Sequence, residues 1–204
     1  MMKNNRWILA VLGLVVLSFG VFYAMGMRPS GSTASFDQQF IDMMVPHHEG
    51  AVAMAEIAQV RGEHTEVKQM AEAILTTQRE EIDQMKAWRK DWFGSDQTPS
   101  MSQMPMVPGM GGGHAAHGGG TMTMNMAADI EALRNAPEPF DLAFIEAMIP
   151  HHQSAIDAAK AAGTRAERPE IKQLAQEIIT AQQREIDQMR QWRASWYASA
   201  QTPR

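Results

Sequence analysis

The chain has 204 residues, 45% of them hydrophobic and 20% charged, with a formal net charge of −5 at pH 7. That composition allows one or two domains with a real core, and it offers neither a basic stripe for nucleic acid nor an acidic tail for a charge-based tether. Cysteine is absent, which excludes disulfides, thiolate metal sites and cysteine nucleophiles, whereas methionine is abundant at 18 residues.

The N-terminus carries a membrane signal. Lys3 and Arg6 precede an uncharged apolar run from Trp7 to Met27. A run of about twenty apolar residues is long enough to cross a bilayer with its positive flank inside. Residues 1–28 are therefore expected to be a transmembrane anchor in the inner membrane. Ala24-Met25-Gly26 offers a cleavage site that would make them a signal and the rest secreted. In both cases the remainder lies in the periplasm or outside the cell. Residues 29–35 are a short Pro/Gly/Ser/Thr spacer.

Residues 36–93 show helical spacing of apolar positions with no strand-like alternation. Arg61 to Thr65 breaks the pattern, with Gly62 as the expected helix stop, so the segment predicts a helical hairpin. Gly94 to Asn135 is a connector holding Met101, Met104, Met106, Met110, His114, His117, Met122, Met124 and Met126. Its composition predicts no fold of its own without a ligand, apart from a helical turn at 129–133. Residues 140–197 repeat the hairpin, with a break from Ala162-Gly163 to Arg168 and Pro169 in the first turn of the next helix.

The two hairpins are copies. Residues 36–92 and 140–196 align without a gap at about half identity. Both keep Phe-Asp, Phe-Ile and Met-Val/Ile-Pro-His-His, then Glu-Ile-Asp-Gln-Met-x-x-Trp-Arg. A single hairpin leaves an apolar stripe uncovered, whereas two can cover each other. The predicted fold over 36–197 is thus an all-α four-helix bundle with pseudo-twofold symmetry.

Met44, His47 and His48 fall at i, i+3 and i+4 on one helix face. Counting back from the turn puts Gln78, Glu81 and Met85 on the inward face of the second helix at the same levels. The same arithmetic gathers Met148, His151, His152, Glu185 and Met189. Pro46 and Pro150 weaken this construction, because proline bends a helix, and a kink there would expose the His pair. Thioether and imidazole donors without thiolates suit copper, Cu(I) before Cu(II), with zinc through His-His-Glu less well matched. Glu81 and Glu185 either ligate directly, pair with arginines, or hold a histidine through its second ring nitrogen. Single methionines on apolar faces, such as Met54 and Met70, read as core. His64 has no counterpart in the second repeat and is set aside, and the tryptophans at 88, 92, 192 and 196 read as packing at the bundle ends.

The paired motif resembles the bacterial secreted family known as domain of unknown function 305. That resemblance implies a ferritin-like fold of two similar helix pairs and a relation to periplasmic copper-binding members linked to copper tolerance. It carries His47, His48, His151 and His152 first as metal ligands, then Met44, Met85, Met148 and Met189. The long Met/His connector and the expected anchor depart from the family pattern; the connector either adds places where copper is captured or couples the two halves less tightly than in compact relatives. The leading expectation is an extracytoplasmic copper scavenger, buffer or chaperone, with a copper exporter or a cuproenzyme as the receiving partner. A ferritin-like metal-dependent oxidase is the alternative, although one inward glutamate per repeat is too few for a carboxylate-bridged pair. A metal-free interaction module is the third reading.

Overall fold

The computed structural model describes residues 34–103 and 126–198. The expected anchor at 1–28 and the connector residues Met104, Met106, Met110, His114, His117, Met122 and Met124 lie outside the described residues. Those described form five α-helices and no strand: α1 (Phe36–Arg61), α2 (Thr65–Phe93), α3 (Met126–Arg134), α4 (Phe140–Arg165) and α5 (Pro169–Trp196). A single 3-10 turn lies at Met101–Gln103. None of the described helices is long and apolar enough to cross a membrane.

The helix ends follow local chemistry. Ser35 caps α1 by accepting the Gln38 N–H, and Pro169 opens α5 in its first turn, where its missing N–H costs nothing. Gly94 ends α2 at φ +84°, a left-handed conformation that a side chain would strain. Gly62 ends α1 as expected, for a different reason. Its φ of −53° is open to any residue, but a Cβ there would stand 2.6 Å from the Ala58 carbonyl oxygen. The second break starts later than expected. Gly163 has no positive φ and nothing within 4 Å of a Cβ placed on it, so the site does not require glycine, and α4 continues past it to Arg165.

α1 packs antiparallel on α2, and α4 on α5. The hairpins meet chiefly through α1 against α4. Two apolar cores result. One joins Ala51, Met54 and Ala58 of α1 to Val67 and Ile74 of α2, Phe140, Phe144 and Met148 of α4, and Met189 of α5. The other joins Phe40, Ile41 and Met44 of α1 to Met85 of α2, Ala155, Ala159 and Ala162 of α4, and Ile171 and Ile178 of α5. α3 adds Met126, Ile130 and Leu133 to the first core only. The connector is therefore not wholly without a fold: its C-terminal end is a nine-residue helix docked in the core.

Each hairpin is latched by an aspartate from the other. Asp37, 3% exposed, accepts the backbone N–H groups of Glu167 and Arg168, both at 3.0 Å. Asp141, fully buried, accepts those of Glu63 and His64 at 2.9 and 2.8 Å, and the His64 ring through Nδ1 at 2.6 Å. These are the N–H groups of the N-cap residue and of the residue before it in the turns that lead into α5 and α2. The second residue of each Phe-Asp motif thus caps the opposite hairpin. The ring of His64 also stacks on Trp196 at 3.9 Å, as the Arg168 guanidinium lies over Trp92 at 4.0 Å. His64 therefore has a structural place in the interhelical turn.

Removing either latch strands the backbone donors of the opposite turn, and at Asp141 the His64 ring as well. Asp37→Ala and Asp141→Ala are each expected to lower stability by about 1–3 kcal/mol, read as a lower midpoint in urea with the helical signal intact in native buffer.

Candidate metal centre

Between the two cores runs a polar layer. His47, His48, His151 and His152 are buried, at 1%, 0%, 8% and 0% exposure, together with Ser154, Gln78 and Gln182. Pro46 and Pro150 lie within unbroken helices. The expected exposure of the His pair is not found, because the packing of α1 on α4 keeps both doublets inside.

The doublets split. His48 turns to its own hairpin, where its Nε2 lies 2.7 Å from a Glu81 carboxylate oxygen. His152 does the same with Glu185 at 2.6 Å. His47 turns instead to the other hairpin: its Nε2 is 2.7 Å from the Ser154 hydroxyl, and its ring centroid is 3.9 Å from that of His151. The centroids of neighbouring rings within each doublet are 6.3 Å apart. Counting from the turn correctly levels His48 with Glu81. It says nothing of His47, whose partner belongs to the other repeat.

Hydrogen bonding sets the ring tautomers. A carboxylate can only accept, so Nε2 of His48 and of His152 carries the proton, and in the neutral ring Nδ1 holds the lone pair. Among the described residues, both of these Nδ1 atoms are buried with no hydrogen-bond partner. The Ser154 hydroxyl gives its one proton to the His151 carbonyl at 2.7 Å, so His47 donates to it through Nε2–H. Glu81 and Glu185 retain 13% and 20% side-chain exposure, so the carboxylates mark where the layer meets solvent.

The sulfur donors flank this layer. Met44 and Met85 are fully buried in one core, Met148 and Met189 in the other. Met101 is half-buried against the first core, and Met126 is 2% exposed within it. Among the described residues, no group of three or more His, Asp and Glu side chains is placed to hold a metal ion. Sequence reasoning missed Ser154 and the two latching aspartates. The Phe-Asp repeat was a signal for the aspartates. For Ser154, whose counterpart is Gly50, the repeat supplied none.

A cysteine-free pair of duplicated helical hairpins, closed over a buried histidine layer with methionines on both sides, is the class that fold and site define. The chain belongs to the family described as domain of unknown function (DUF305), which matches residues 37–193. Among solved structures it is similar to CopM in the Cu(I)-bound form, with 39% identity, a TM-score of 0.61, and coverage of 79% of this chain and 97% of that one. For CopM in the Cu(II)-bound form the values are 40%, 0.62, 81% and 100%, and CopM is also known in a silver-bound form. A DUF305 protein from Streptomyces coelicolor, thought to be secreted, is 25% identical with a TM-score of 0.60, over 76% of this chain and 90% of its own. An uncharacterized protein, L153, from Acanthamoeba polyphaga mimivirus is 42% identical over 60 residues, which is 29% of this chain and 40% of the viral protein.

The tautomer assignment is directly measurable. Nitrogen-15 spectra of the histidine rings should show His48 and His152 as Nε2–H forms. Glu81→Ala should release that preference at His48 and leave it at His152; an unchanged His48 ring would mean that Glu81 does not orient it.

Proposed function

We propose that this chain binds copper as cargo outside the cytoplasm, holding it with imidazole and thioether donors in and beside the histidine layer. The observation that carries this reading is the layer itself. Four imidazoles from two hairpins are buried between methionine-bearing cores, two of them with the lone pair on an unpartnered nitrogen. Burying such groups costs free energy unless something compensates. A bound cation does so. The likeness to CopM, over nearly the whole of that protein, supports copper as the ion.

In this reading His47, His48, His151 and His152 supply nitrogen, and Met44, Met85, Met148 and Met189 supply sulfur. Glu81 and Glu185 hold the His48 and His152 rings and draw the cation inward from the surface. Neutral thioethers favour Cu(I) over harder ions, and imidazole accepts both copper states. The connector methionines and histidines collect the ion from solution. The buried layer holds it more firmly, because exchange requires side chains to move. Lowering free copper gives tolerance, and release to an exporter or cuproenzyme gives delivery. Membrane anchoring through residues 1–28, or secretion after their removal, places this activity outside the cytoplasm. An oxidase is less well supported, since Glu81 and Glu185 are each engaged by a different histidine rather than bridging one site.

Competition of the intact protein for Cu(I) against a chromophoric chelator tests the reading. The quadruple substitution His47→Ala/His48→Ala/His151→Ala/His152→Ala should weaken the tightest site by more than about a hundredfold. Unchanged affinity would move that site to the connector.

A further inference from the structure

Ser154 is a serine in mid-helix, buried at 2% exposure, and its hydroxyl makes two hydrogen bonds. Its one proton goes to the His151 carbonyl of its own helix at 2.7 Å, and its oxygen lies 2.7 Å from Nε2 of His47 on the opposite hairpin. A carbonyl only accepts, so the hydroxyl has no proton left for the imidazole and meets it as an acceptor. Serine ordinarily favours caps and turns, because inside a helix it competes with the backbone. The helix itself does not call for it here. The equivalent position of α1 is Gly50, where the Met126 side chain fills the space that a Cβ would take.

Three rings of the layer are held in the same sense by different groups. Nε2 of His48 faces a Glu81 oxygen, Nε2 of His152 a Glu185 oxygen, and Nε2 of His47 the Ser154 hydroxyl. In each, an acceptor engages the nitrogen farther from the backbone, and the neutral ring carries its lone pair on Nδ1. An imidazole that binds a metal through one nitrogen gives its other N–H to an acceptor, which fixes the tautomer and aims the ring. Glu81 and Glu185 do this within a hairpin. Ser154 does it across the interface between hairpins. The choice of group follows burial: the glutamates keep 13% and 20% side-chain exposure, whereas an anion at the depth of Ser154 would cost far more than a neutral hydroxyl.

We infer that Ser154 is a positioning residue for copper: it holds His47 in the Nε2–H form, closes that nitrogen to the ion, and makes Nδ1 the atom through which His47 binds. The inference rests on the copper reading above and deepens it by naming the coordinating atom and the residue that selects it. Because hydroxyl and ring belong to different hairpins, the selection is made only once α1 and α4 have docked.

Silver(I) is a closed-shell, redox-inert probe that reports the bound nitrogen directly, since its spin-one-half nuclei split the resonance of a coordinated nitrogen-15. The full-length protein, labelled with nitrogen-15 in histidine, is titrated with Ag(I), and His47→Ala identifies the His47 signals by their disappearance. Without metal, His47 should be in the Nε2–H form. With Ag(I), its Nδ1 should be split while Nε2 keeps its proton. Ser154→Ala should release His47 from that tautomer, leave His48 and His152 in theirs, and weaken Ag(I) binding by about tenfold. A serine that serves packing alone would lower the urea midpoint and move neither the His47 tautomer nor the affinity, and that result overturns the inference. Silver on Nε2 of His47, or on other rings with His47 untouched, also overturns it and leaves copper binding intact. If no histidine nitrogen is split, this inference and the imidazole ligands of the copper reading fall together. The wild-type titration decides between these outcomes even if Ser154→Ala does not fold.

Discussion

The structure depends on burying a sheet of imidazoles between two apolar cores. Neither core can close around these rings unless each polar edge is matched or left for an ion, because an unpaired polar atom in the interior is costly. The bundle answers with three kinds of partner: a carboxylate on the same hairpin, a hydroxyl on the other, and the facing ring across the pseudo-twofold. The layer therefore needs both hairpins. Site and fold are one construction here, since the α1–α4 contact that completes the bundle is also the contact that brings His47 against His151.

The aspartate latches make that contact reproducible. Asp37 and Asp141 sit in the first turns of α1 and α4 and satisfy N–H groups where the opposite hairpin turns. A slip of one hairpin along the other would strand both latches at once and leave two buried carboxylates without donors. Arg61 adds a further tie at the α1 end. Its guanidinium donates to the carbonyls of Arg134 and Ala136 and lies over the Phe140 ring, which binds the connector's last residues to the first hairpin. With the ends pinned in register, the rings of the layer keep their partners on both hairpins.

Much of this was legible in the sequence. Apolar periodicity marked the four long helices, duplication marked the two hairpins, and counting from the turn set His48 level with Glu81. These are consequences of local geometry and of contacts within one hairpin. What was not legible depends on how the hairpins face each other. Periodicity shows that His47 lies at the edge of a stripe, but not that the edge is covered by Ser154 of the other repeat. The proline in each motif suggested exposure because helix breaking is a local rule, and here packing overrides it. The Gly50–Ser154 difference passed as one mismatch among many, because its meaning lies in Met126, which is 76 residues beyond Gly50 in the chain.

That mismatch bears on why a duplicated protein carries so unequal a connector. α3 packs on one core only, and Met101, near the other end of the connector, rests against the same core. Among the described residues the copy with Ser154 receives no such segment, and its hydroxyl meets the His47 ring instead. Duplication produced two equivalent imidazole pairs. The insertion between the copies then filled the space beside Gly50 in one of them with the Met126 side chain, where the other has the Ser154 hydroxyl.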